Sequence, residues 1–201
     1  MRLQFANGAY SLTAKEIERL IFAANNPRDR VLLLVLCETG IRRFEASAIA
    51  WENIDIVRRL LTVRNGKGGK RRVIPITERL SRELELLAEG ARHEAVFYSR
   101  QAGSLSVRQV NRIVALAGRR AGIKHPNPRY RDVTCHLLRH TFARLWKSHE
   151  GSIESLSKIL GHTSVKTTWD VYGTESWQDV QTNYQTMIAR MYHWSDNTRR
   201  R

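Results

Sequence analysis

The run VLLLVLC at residues 31–37 is the longest apolar stretch in the chain. Seven residues fall far short of the eighteen or so that a membrane-spanning helix needs, and they suit a core helix. Asn25-Asn26-Pro27 breaks the segment before it. Pro27 suits the first turn of a helix over 28–38, and Thr39-Gly40 interrupts that helix before it reaches Arg42 and Arg43. The chain is thus built around a buried rod that ends in a turn carrying two cations.

The local signals on either side predict a mostly helical domain. Thr13 begins TAKE, a capping box that opens a helix running to about Ala24. IRRFEASAIA (41–50) restarts helically, and NIDIVRRLLTVRN (53–65) reads as a turn followed by a strand. VIPI (73–76) is a second strand, and the Gly-rich NGKGGKRR (65–72) between them reads as a hairpin tip. A helix is expected from about Thr77 to Ala88, a short strand in AVFYS (95–99), and a helix over 106–120 ended by Gly122. A Pro-broken basic loop (123–133) precedes helices over 134–148, 152–160 and 164–171. Trp177, Val180, Tyr184, Met187, Ile188 and Met191 recur at helical spacing within 175–193. The predicted fold class is mainly α with one small antiparallel β-sheet (α+β).

Thirty-four Lys and Arg stand against nineteen Asp and Glu, a formal charge of +15 in 201 residues. A domain this basic most often meets a polyanion, and nucleic acid is the commonest one. Cys37 and Cys135, each inside an apolar segment, read as reduced core thiols of a cytoplasmic protein. MRLQFANGAY at the start lacks the apolar core of a secretion signal.

CHLLRHTF (135–142) places His136 and Arg139 one turn apart on one helix face, within an apolar run. Residues at i and i+3 are neighbours, and burying two such heads is costly unless an anion meets them. Arg42 sits at a helix start, where backbone amides and the macrodipole also favour an anion. Guanidinium forks hold phosphate oxygens through paired hydrogen bonds and keep their charge. Two of them meeting at one phosphodiester would stabilise its transition state, and removing one such donor typically costs about 100- to 1,000-fold in rate.

Tyr172 is the candidate nucleophile. A phenol with a pKa of about 10 is almost wholly protonated near neutrality, so it needs a proton acceptor and a cationic pocket. His136 can be that acceptor, a role worth roughly 100- to 10,000-fold. Tyr10, Tyr98, Tyr130, Tyr184 and Tyr192 compete on residue type, but Tyr172 follows an LGH segment in a polar helical region. HLLRH carries the i, i+4 histidines of a zinc helix, yet position 137 is Leu where that motif needs Glu. His140 is therefore read as structural, with its own hydrogen bond. GKGG lacks the spacing of a nucleotide-binding P-loop.

Four segments, TGIRRFE (39–45), GKGGKRRVIPI (66–76), HLLRH (136–140) and LGHTSVKTTWDVY (160–172), occur in an order that resembles the tyrosine recombinases, the phage-integrase and Xer family, over nearly the whole of residues 10–172. The resemblance implies that Arg42 and Arg139 clamp the scissile phosphate of DNA. It makes His136 the acid–base residue, His162 a second phosphate contact and Lys67 the acid that protonates the departing 5′ oxygen. Tyr172 would form a 3′-phosphotyrosine link, attacked in turn by a 5′ hydroxyl from another strand. Glu45 takes the family's acidic support position. Arg43, Lys70, Arg71, Arg72 and Lys166 are expected DNA contacts, and Lys70, Arg71 and Arg72 compete with Lys67 for its place on the hairpin. The spacing from His162 to Tyr172 is one residue longer than in many members. No metal, cofactor or ATP is expected, because protein cations stabilise the charge and one phosphoester is exchanged for another.

The resemblance also implies a domain plan. Residues 1–174 form the catalytic domain, without the separate DNA-gripping domain that usually precedes it. Residues 175–201 form a C-terminal helix and basic tail, whose apolar stripe either docks on a neighbouring subunit or packs within its own domain. The expected partners are a double-stranded recombination site, further copies in a dimer or tetramer on DNA, and an accessory or directionality factor, with no membrane. The expected location is the cytoplasm, at the nucleoid. Two other readings share this pattern: a type IB-like topoisomerase, and a non-catalytic DNA-binding accessory protein.

Overall fold

The computed structural model describes residues 10–64, 71–91, 93–99, 103–161 and 177–192. Helix α1 (Ala14–Phe22) starts where Thr13 accepts a hydrogen bond from the Glu16 amide while the Glu16 carboxylate accepts from the Thr13 amide, at 3.2 and 2.9 Å. Helix α2 (Pro27–Thr39) starts on the Asn26 cap with Pro27 in its first turn. Every residue from Val31 to Thr39 is buried, so α2 is enclosed on all sides. Its neighbours include α1, α4 (Glu78–Glu89) and α6 (Cys135–Ser148).

Helix α2 ends at Gly40, whose φ of +61° lies in the left-handed region that a Cβ penalises. A Cβ there would also come within 2.7 Å of the Phe142 ring and 2.9 Å of Leu160. Glycine is therefore required twice over, by backbone conformation and by packing. The turn delivers Arg42 to the start of the short helix α3 (Arg43–Ser47). A single 3-10 turn (Trp51–Asn53) leads into a three-stranded antiparallel sheet of β1 (Ile54–Asp55), β2 (Leu60–Arg64) and β3 (Arg71–Pro75). Leu60 pairs with Pro75 and Arg64 with Arg71, which brackets 65–70 as the connection of a hairpin. Leu61, Val63 and Ile74 fill the inward face.

AVFYS (95–99) is not a sheet strand, contrary to the sequence expectation. It forms two isolated bridges, Ala50 with Ala95 and Tyr98 with Ser104. Its backbone is divided between partners: Val96 donates to the Ile49 carbonyl, whereas Phe97 accepts from Leu105. Val96 and Phe97 are buried, so the apolar pattern was read correctly, but a ladder needs one continuous neighbour. Helices α5 (Val107–Arg120) and α7 (Ile153–Leu160) match their expected spans, and the helix expected over 164–171 lies outside the described residues.

Helix α8 (Trp177–Tyr192) packs on the rest of the chain. Its apolar stripe is covered by its own chain: Val180, Tyr184, Met187, Ile188, Met191 and Tyr192 are all buried. The Tyr192 hydroxyl donates to the Cys37 carbonyl at 2.7 Å and the Tyr184 hydroxyl to the Glu38 carbonyl at 3.3 Å. These are last-turn carbonyls of α2, which lack intrahelical partners. A helix that ends among apolar side chains needs such donors, and α8 supplies them without a second subunit. Trp177, at 37% exposure, is the one large apolar residue of α8 left partly open.

Gly40→Ala forces the left-handed region on a Cβ and drives that atom into Phe142, costs of about 1–2 and 1–3 kcal/mol. Thermal unfolding followed by circular dichroism is expected to show a midpoint roughly 5–15 °C lower than wild type.

Candidate active site

The centre of the site is a carboxylate. Glu45, whose side chain is 0% exposed, lies one turn into α3. Burial alone would raise its pKa, but three kinds of contact outweigh that and bring it below the usual carboxylate range. Arg72 donates Nη1 to Oε1 and Nη2 to Oε2, at 2.7 and 2.9 Å. The Arg42 backbone amide donates to Oε2 at 2.7 Å. The Arg42 guanidinium stands 3.5 Å from Oε1.

Arg72 carries a second bond, from Nε to the Ile159 carbonyl at 2.7 Å. Arg139 donates to the next carbonyl along, Leu160, at 3.1 Å, and to the Gly40 carbonyl at 2.7 Å. Arg139 is thus anchored by the carbonyl ends of α7 and α2, where helix dipoles place negative charge. Gly161, with φ +66°, ends α7, and a Cβ there would come 2.9 Å from the Arg72 Cδ. Burial, with the nearby charges of Arg42 and Arg72, brings the Arg139 pKa down to about 10, so it stays charged at neutral pH. Among the described residues, three guanidinium groups, Arg42, Arg72 and Arg139, surround the one carboxylate of Glu45.

The structure therefore brings Arg42, Arg139 and Glu45 together from segments nearly a hundred residues apart in sequence. His136, one turn before Arg139 on α6, is exposed beside them. Arg43 and Arg71 are exposed on the surface. Arg72 departs from its expected place among surface DNA contacts, because its side chain is 9% exposed and is bound on both ends of its fork. Strand alternation carries the signal that finds it: Arg72 lies two residues before the buried Ile74, on the same face of β3, whereas Arg71 points outward. Lys67, Lys70, His162, Lys166 and Tyr172 lie outside the described residues.

This arrangement can grip one small anion. Arg72 satisfies both oxygens of Glu45, which leaves the Arg42 fork, about a third exposed, only loosely held by that carboxylate. Two arginines in fixed positions beside an exposed imidazole provide charge neutralisation and a proton acceptor for a phosphodiester.

The family assignment follows. The model of the phage integrase family matches residues 10–179, and the chain belongs to that family. Among individual relatives, the tyrosine recombinase XerA of Pyrococcus furiosus is 36% identical over 165 residues, which cover 79% of this chain and 55% of the relative. XerA of Thermococcus kodakarensis is 32% identical, covering 79% and 56%. XerC of Xanthomonas campestris pv. campestris is 33% identical, covering 78% and 49%. The crystal structure of a XerA recombinase superposes with a TM-score of 0.69 at 28% identity, over 95% of this chain and 65% of that one. The lambda integrase catalytic core shares the fold at a TM-score of 0.62 and 24% identity. The chain spans about half the length of the recombinase relatives it matches.

Removing one partner of a buried ion pair costs about 3–5 kcal/mol, because the other charge is left uncompensated. Arg72→Met is expected to lose about that much in urea unfolding. The Glu45 carboxyl titrates lower in the folded chain than in the unfolded chain, where it sits near 4.3. Its stabilisation is therefore complete above that unfolded value and is lost as the pH falls through the lower folded value. Glu45→Gln is expected to flatten this acid limb of the stability–pH curve, and an unchanged limb would dismiss the pair as its source.

Proposed function

We propose that this chain is the catalytic domain of a site-specific DNA recombinase that cuts and rejoins duplex DNA through a 3′-phosphotyrosine intermediate. The observation that carries the reading is the gathering of Arg42 and Arg139 around buried Glu45, with positive charge in excess and His136 one helical turn away. Membership of the phage integrase family supports it, as do relatives named tyrosine recombinases. None of the described helices is long and apolar enough to cross a membrane. The proposed place of action is the cytoplasm, on nucleoid DNA.

In this reaction Arg42 and Arg139 hold the non-bridging oxygens of the scissile phosphate. The Tyr172 oxygen attacks phosphorus as its proton passes to His136. The bond from phosphorus to the 5′ oxygen breaks, and Lys67 protonates that oxygen. His162 adds a further contact to the phosphate. A 5′ hydroxyl from a second strand then attacks the phosphotyrosine, releases Tyr172 and restores a phosphodiester. The ester bond is conserved throughout, so no external energy source is consumed. Exchange between two duplexes requires more than one active site, which makes a dimer or tetramer on DNA the working form.

The test is covalent capture. A pool of duplexes with a nick and randomised flanking sequence is incubated with the protein and run on a denaturing gel. A protein–DNA adduct is expected with wild type, absent in Tyr172→Phe and formed about 100- to 1,000-fold more slowly in Arg139→Ala. An adduct surviving in Tyr172→Phe reassigns the nucleophile. Binding to the captured DNA should weaken with salt at a slope near −0.9 per phosphate neutralised, and affinity unchanged between low and moderate salt would contradict phosphate-dominated binding.

A further inference from the structure

His140 stands one turn beyond His136 on α6, and the two Nε2 atoms are 2.7 Å apart. The rings meet edge to face, with planes at 87° and centroids 4.2 Å apart. Two bare nitrogens at that distance would repel through their lone pairs, and two protonated ones through their hydrogens and charges. A neutral imidazole has one donor and one acceptor nitrogen. The contact therefore holds a single proton, donated by one ring and accepted by the other.

When the pair takes up a second proton, the surroundings disfavour placing it on His140. Burial, together with the charges of His136, Arg139 and Arg144, holds the His140 pKa below the usual histidine value. Beyond these residues of α6, the Arg42, Arg72 and Glu45 cluster lies around Arg139. An added proton on His140 would stand in the field of the flanking Arg139 and Arg144. An imidazolium at His136 would then have the Nε2 lone pair of His140 as its acceptor, 2.7 Å away.

We propose that His140 is a positioning residue that accepts the Nε2 proton of His136, fixes the tautomer of that ring and leaves its Nδ1 as the proton-accepting nitrogen. The relation is that of a catalytic base oriented by a third group. Its use in catalysis rests on the recombinase reading above. When the Tyr172 hydroxyl gives up its proton, Nδ1 of His136 takes it, and the resulting imidazolium keeps its Nε2–H bond to His140. The phenolate oxygen forms its bond to phosphorus, the 5′ oxygen leaves with a proton from Lys67, and rejoining returns each proton to its source. No other reactant is consumed.

The experiment has one arm without DNA and one with it. The full chain, labelled with nitrogen-15, is studied by NMR at a pH where histidines are neutral. A slowly exchanging Nε2–H signal is expected on His136, with its Nδ1 in the bare-nitrogen range. In His140→Phe that protected signal is expected to disappear, and in His140→Gln, whose amide oxygen can accept the proton, to remain. Because position 140 is exposed, both variants are expected to melt close to wild type, and His140→Gln keeps the comparison valid should His140→Phe unfold.

In the second arm, adduct formation is timed on the duplexes recovered by covalent capture. His140→Phe is expected to be about 10- to 100-fold slower, the usual effect of removing an orienting partner. His140→Gln is expected to return most of that rate, which a purely structural role would not produce. A His136 ring spectrum unaltered by His140→Phe overturns the proposal, as does cleavage by His140→Phe at the wild-type rate. A protected Nε2–H signal with no duplex captured would support the pairing and overturn the recombinase reading instead.

Discussion

A buried carboxylate has to be paired or protonated, and the way this chain pairs Glu45 organises the rest of the site. Arg72 takes both carboxylate oxygens from β3, and the Arg42 amide takes one of them again from the start of α3. A bidentate fork is the geometry that satisfies a carboxylate most completely. Because Arg72 has filled that need, the guanidinium of Arg42 is drawn toward Glu45 without being consumed by it, and stays 3.5 Å away. A lysine at 72 could neutralise the charge but could not bind both oxygens while also reaching the Ile159 carbonyl. The ion pair thus joins the root of the β2–β3 hairpin to α3 and to the end of α7.

The same economy of backbone groups explains why α2 has to be enclosed. Its last-turn carbonyls would be orphaned in an apolar interior, and two tyrosines of α8 bond those of Cys37 and Glu38. Two residues past Glu38, the Gly40 carbonyl accepts from Arg139. One helix end is therefore closed on one side by α8 and on the other by a residue of the site. Only a few residues separate the carbonyls bonded by α8 from the turn that holds Arg42. Phe142 and Leu160 fill the space beside the left-handed Gly40 in that turn.

Much of this was legible before any coordinates. Arg42 and Arg139 drew attention because fixed cations interrupt apolar runs, and a folded chain rarely leaves such groups without a purpose. Helix starts at Thr13, Asn26-Pro27 and Thr77 were readable because capping is local chemistry. Other features have nonlocal causes that a sequence does not show. Arg72 looked like one more charge on a basic hairpin, since the carboxylate that turns it inward lies 27 residues away. Helix α8 showed its apolar stripe, yet spacing alone cannot say whether the surface covering it belongs to the same molecule. His140 was expected to have its own hydrogen bond, but a sequence does not reveal that the partner is the neighbouring histidine of the site.

Three arginines face one carboxylate, and the cost shows at Arg139, whose pKa is drawn down to about 10 by burial and by its like-charged neighbours. Such a cluster is held together by helix-end carbonyls and packing rather than by charge balance. A phosphodiester entering beside Arg42 and Arg139 would supply the missing negative charge, and its transition state would supply more. The donors would already be in place, so little reorganisation would accompany the reaction, which is how fixed dipoles and charges stabilise a developing anion. On the proposed function, the crowding of positive charge in the free domain and the affinity for a DNA backbone would be one property, viewed without the phosphate and with it.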